Sequence, residues 1–139
     1  MSFTNYLAGK VLDQLFGAQA YTASGTLYVG LSTTTPEEDG TNFTEPATAS
    51  GYYRVPVSNN KSNWSAATNA DPSVLDNRTT ITFDQASGNW GNGNLTYFGI
   101  FDNQEGGNLL ASGALTVPKP ITTNDTASFA SGAIEITLT

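Results

Sequence analysis

Residues 81–115 read ITFDQASGNWGNGNLTYFGIFDNQEGGNLLASGAL, and this stretch decides the fold class. In extended backbone, side chains alternate between two faces. Leu95, Tyr97, Gly99 and Phe101 then share one face, and Thr96, Phe98 and Ile100 the other. Both faces are mostly apolar, which predicts a strand covered on both sides. Asp102-Asn103-Gln104-Glu105-Gly106-Gly107 supplies turn residues, with two glycines free to take positive φ. Asn108 to Leu115 returns as a second extended segment, so the pair reads as a hairpin. Thr80 to Phe83 is a short alternating strand upstream.

Outward from this centre, Thr26 to Ser32 reads as a strand with Leu27, Val29 and Leu31 on one face. Tyr52 to Val57 reads as another, and Pro56 places it at an edge or bulge. Pro118 and Pro120 give 116–122 an edge or connector character. Ser128 to Ala130 and Ala133 to Leu138 close the chain as strands. The one helix is expected at 3–16, where Phe3, Tyr6, Leu7, Val11 and Leu15 recur at three- and four-residue spacing. Ser2 is its expected cap and Gly17 its end. A helix this short is marginal alone and must pack on something. Two polar stretches, 33–50 and 58–78, are long for connections inside a compact domain.

The chain of 139 residues reads as one domain, 1–139: an all-β antiparallel sandwich, immunoglobulin-like or jelly-roll, with one N-terminal helix. Its expected core is Leu27, Val29, Leu31, Phe83, Leu95, Tyr97, Phe98, Ile100, Phe101, Leu110, Leu115, Phe129, Ile134 and Ile136. Only 12% of residues are charged, and the net charge is -7. The five basic residues are scattered, whereas proteins that track phosphates cluster theirs. No nucleic-acid partner is expected, and no membrane association, because no apolar run approaches a span. There is no cysteine, so disulfides and thiolate metal sites are excluded. No secretory leader is legible at the start.

The chain also lacks histidine, which removes the commonest general base and zinc ligand. No nucleophile, phosphate-loop or dinucleotide motif is present. Asp102 and Glu105, with Asp84, are the nearest approach to paired glycosidase carboxylates, but no sugar cleft is specified. Glu37-Glu38-Asp39 and the 102–108 turn offer oxygen ligands without calcium-loop spacing. The expectation is a non-enzyme with no catalytic residues, no metal and no cofactor. Trp90 stands among Asn and Gly residues and Trp64 in the polar 58–78 stretch, settings in which an aromatic face suits carbohydrate. They are equally core candidates.

Taken in order, SFTNYLAGKVLDQLFG (2–17), AYTASGTLYVGLST (20–33), GYYRVPV (51–57), the 81–102 run and GGNLLASGALTVPKPITTNDTASFASGAIEITL (106–138) span nearly the whole chain. Together they resemble a family of small tailed-bacteriophage virion structural proteins, labelled as tail fibre or head-decoration proteins. The stretch 58–78 departs from that pattern. The resemblance implies a virion part, made in the host cytoplasm and displayed on the outer surface of the particle. The leading expectation is a capsid decoration or cement protein. Its partners would be the major capsid protein and copies of itself, as a homo-oligomer such as a trimer. The alternative is a tail fibre, tail-tip or baseplate component that contacts tail proteins and binds a receptor or carbohydrate. Phe3, Tyr6, Leu7, Val11, Leu15, Glu37, Glu38 and Trp64 are the expected interface residues, and Trp64 and Trp90 the expected sugar contacts in the alternative.

Overall fold

The computed structural model describes residues 2–139. Its strands and α-helix are β1 (Ser2–Phe3), α1 (Asn5–Phe16), β2 (Thr26–Ser32), β3 (Val55–Ser58), β4 (Ser73–Asp76), β5 (Ile81–Thr82), β6 (Leu95–Phe101), β7 (Leu109–Lys119), β8 (Ser128–Phe129) and β9 (Glu135–Leu138), with one turn of 3-10 helix at Thr48–Ser50. One five-stranded sheet has the order β1-β7-β6-β2-β3, and β4-β9 and β5-β8 form two ribbons. Every pairing is antiparallel. The architecture is a sandwich of unequal layers, with two ribbons opposite the large sheet rather than a second full sheet.

The β6–β7 hairpin lies inside the large sheet, with Phe101 opposite Leu109 and Tyr97 opposite Ala114, while Ile81–Thr82 pairs separately with β8. Strand β7 runs on through Pro118 to Lys119, four residues beyond the expected end. β3 is an edge strand, as Pro56 requires, with Pro56 opposite Tyr28. Phe98 and Ile100 lie opposite Leu31 and Val29, so these four share the inner face. A bulge between Leu95 and Tyr97 shifts the alternation, and Leu95 turns inward with them.

The outer face of the sheet is covered too, by the loop that follows β2. Phe43 meets Phe101 edge-on at 5.0 Å. Gly30 and Gly99 are directly opposite one another on this face. A Cβ on Gly99 would sit 2.7 Å from both Leu109 Cδ1 and Phe43 Cε2. The glycines are there because the covering side chains approach the backbone itself.

The N-terminus differs from its expectation. Ser2 and Phe3 are extended and pair with Ser112 and Ala111. The helix starts two residues later, capped by Thr4, whose Oγ1 accepts from Leu7 N at 3.4 Å. The Thr4 hydroxyl also donates to Leu109 O at 2.6 Å, which ties the cap to β7. Ser2 is thus a strand residue and not the cap, and Phe3 is not on the helix. Gly17 ends the helix as expected.

The core is filled from the ribbon side by Ile81, Phe83, Ile134 and both tryptophans. Tyr97, Leu27, Leu115, Phe129 and Ile136, all expected in the core, are only partly buried. Stretch 58–78 is a folded arm. Trp64 bridges to Asn77, and backbone bonds join Ser65 to Asp76 and Thr68 to Val74. Asn77 is completely buried. Its amide donates to Thr79 O and Ala130 O and its oxygen accepts from Ile134 N, so it staples the arm to the 130–134 segment between β8 and β9.

Candidate assembly surface

The long 33–50 stretch is tied down by its own polar side chains. Ser32 Oγ accepts from the Thr44 and Thr34 amides. Thr34 Oγ1 donates to Asn42 O or to Thr44 Oγ1, and Asn42 Nδ2 donates to Thr35 O. At its end, Glu45 receives two 2.8 Å bonds from Arg54. Arg54 Nη1 also donates to Asn103 O and Gly106 O, 2.8 Å each. The guanidinium therefore joins this loop to the tip of the β6–β7 hairpin.

Tyr52 completes the cluster. Pairing between β2 and β3 stops at Val29 opposite Val55, which leaves the Leu31 amide without a strand partner. The Tyr52 hydroxyl accepts from that amide at 3.0 Å and donates to Glu45 at 2.6 Å. Burial, reinforced by the Glu45 charge and hydrogen bond, raises the Tyr52 pKa far above its ordinary value.

The expected interface residues separate into groups. Phe3, Glu37 and Glu38 line one hollow of about 290 Å³ together with Tyr97 and Gly113. The Glu38 carbonyl also accepts from Asn5 N, so this turn holds the start of α1. Tyr6, Leu7 and Val11 are half-buried at the base of the helix. Leu15 is 67% exposed, beside Leu12 at 59% and Phe16 at 84%. No residue of α1 is fully buried. The apolar face that periodicity located is real, but its last turn points into solvent.

The tryptophans are corrections. Trp64 is 3% exposed and Trp90 is fully buried. Trp90 Nε1 donates to Ser50 O at 2.9 Å, and its ring meets Tyr52 and Phe83 edge-on. Sugar stacking needs an open aromatic face, and neither ring has one; nor does Trp64 present an interface. Asp102 is also occupied: its carboxylate accepts from Asn108 N at 2.7 Å and Asn108 Nδ2 at 2.9 Å, bracing the hairpin turn. The Asp39 carboxyl is held below its usual pKa by the Thr41 hydroxyl and amide.

An open groove of about 420 Å³ lies at the far end of the sheet, where Leu95 pairs with Lys119. Leu95, Phe98, Leu115, Val117, Ile121 and Phe129 give it an apolar lining, and Lys119 is the one charged residue on its wall. Composition and periodicity did not point to it, because it forms between β7 and the segment leading into β8. The Glu45–Arg54–Tyr52 cluster was equally hidden, since its partners are polar residues spread over two segments.

A family model described as podophage GP4 fiber I protein gp80 matches residues 2–137. No curated protein matches the chain.

Proposed function

The chain belongs to the podophage GP4 fiber I protein gp80 family, and on that premise we propose that it is a non-enzymatic fibre component of a podophage tail. The observation that carries this reading is the family match, which runs over nearly the whole described chain. It supports the tail-fibre expectation over the capsid-cement one, which gains no support from it.

The architecture suits a passive structural part. The two long stretches are braced by internal hydrogen bonds, and the hairpin tip is clamped by Arg54. A module of this kind transmits load between neighbours without moving parts. Burial of both tryptophans favours a building block over a sugar-reading tip. Its partners are other tail proteins and, by the inference below, itself.

Copy number tests the reading. Quantitative mass spectrometry of purified virions is expected to find the protein at a stoichiometry like that of tail proteins, far below the major capsid protein. A stoichiometry close to that of the capsid protein would restore the cement reading, and absence from clean particles would remove both.

A further inference from the structure

Two apolar features open to solvent, the last turns of α1 and the groove, belong to elements anchored at opposite ends of the β6–β7 hairpin. The helix is anchored at the hairpin end. Thr4 bonds to Leu109 O and Leu110 O, and the chain after the helix returns to Asp102 through the Ser24 hydroxyl. The groove is at the other end of the same hairpin, where Leu95 faces Lys119. Seven residues of β6 separate the ends, roughly 20 Å at the rise of a strand.

The two features are complementary. Leu12, Leu15 and Phe16 are spaced i, i+3 and i+4, so they form one ridge on the last turns of α1. The groove is concave, apolar and of a size that takes small ligands or a few side chains. The charges match as well. The last turn of α1 contains no basic residue, so the negative end of its dipole has no cation of its own. Asp13 adds a full negative charge there. The groove wall carries one charge, the cation Lys119, and no acid.

We propose that the exposed Leu12/Leu15/Phe16 ridge of one copy seats in the 31–133 apolar groove of the next, with Lys119 at the helix C-terminus, so that copies join head to tail. An interface between two different patches propagates rather than closing on a dimer, unless rotation brings the ends together into a ring. The inference names a partner, a second copy, for the fibre component argued above, yet it stands on the helix and groove alone.

The test uses three full-length proteins: wild type, Phe16→Asp on the ridge and Val117→Asp on the groove. Both changed side chains are largely exposed, Phe16 at 84% and Val117 at 59%. Thermal melts and the emission of buried Trp90 check that each variant is folded. In sedimentation velocity, wild type is expected to climb past twice the 14.6 kDa monomer mass as concentration rises. Each variant alone is expected to stay monomeric. Their equimolar mixture is expected to form a dimer and nothing larger, because it contains one intact ridge and one intact groove per pair. Lys119→Glu is expected to weaken wild-type association several-fold.

Three results would overturn the inference: a wild type that stays monomeric, association unaffected by Val117→Asp, or a mixture that remains monomeric. Any of these leaves the fibre reading standing if the protein is found in virions at tail stoichiometry. Head-to-tail association of a protein absent from virions would sink that reading and leave this inference intact.

Discussion

The Arg54 guanidinium lies over the Phe101 ring, 3.4 Å from its centroid. The same group makes a two-bonded pair with Glu45 and holds two hairpin carbonyls. A planar fork with five donors does this, and a lysine ammonium does not.

Removing Arg54 therefore strands a partly buried carboxylate and two carbonyls. Arg54→Met is expected to lower stability by roughly 3 kcal/mol in urea unfolding. Arg54→Lys is expected to recover little of that. A loss below about 1 kcal/mol would mean that solvent replaces the pair at low cost.

Gly99 gives a sharper test of packing. Its substitution by Ala places a methyl 2.7 Å from Leu109 Cδ1 and Phe43 Cε2. Gly99→Ala is expected to cost about 1–3 kcal/mol from overpacking. A neutral result would show that the loop carrying Phe43 lifts freely off the sheet.

Tyr52 predicts a dependence on alkaline pH. Its raised pKa keeps the phenol protonated in the fold, while the unfolded phenol ionises near its ordinary value of 10.0. Above that pH the unfolded state binds fewer protons, so stability falls as pH rises, by at most about 1.4 kcal/mol per unit from this group. Below it the contribution is fully present. Denaturant midpoints measured across the alkaline range are expected to fall in wild type and to flatten in Tyr52→Phe. Equal slopes in the two proteins would place the alkaline loss elsewhere.

The tryptophans predict an optical result. Both rings are shielded, so intrinsic emission is expected to be blue-shifted, to quench poorly with acrylamide and to ignore added sugars. Trp90→Ala is expected to cost about 3–5 kcal/mol. Saturable sugar-dependent quenching would reopen the carbohydrate role.

How much was legible follows from the kind of signal each element carries. The 95–101 strand and its hairpin announced themselves through apolar content on both faces and the Gly106-Gly107 turn. Pro56 correctly marked an edge. Strand β1 was hidden inside a helical pattern, because Phe3 fits the spacing of Tyr6, Leu7 and Val11 while Thr4 is the better cap. Alternation groups Leu95 with Tyr97, Gly99 and Phe101, whereas the bulge, invisible to simple alternation, turns it to the face of Phe98 and Ile100. The roles of Asn77 and Arg54 depend on partners roughly 50 residues away, beyond the reach of any local window. The exposed end of α1 was legible as an apolar face. The groove opposite it was not, because it exists only once β7 and the 121–133 segment have come together.

The most direct measurement of the central claim is the position of the protein on the particle. A reconstruction of virions carrying a small tag on Gln19, in the exposed segment after α1, is expected to show the added density on the tail fibres and none on the capsid lattice. Tag density distributed over the capsid shell, with bare fibres, would contradict the account.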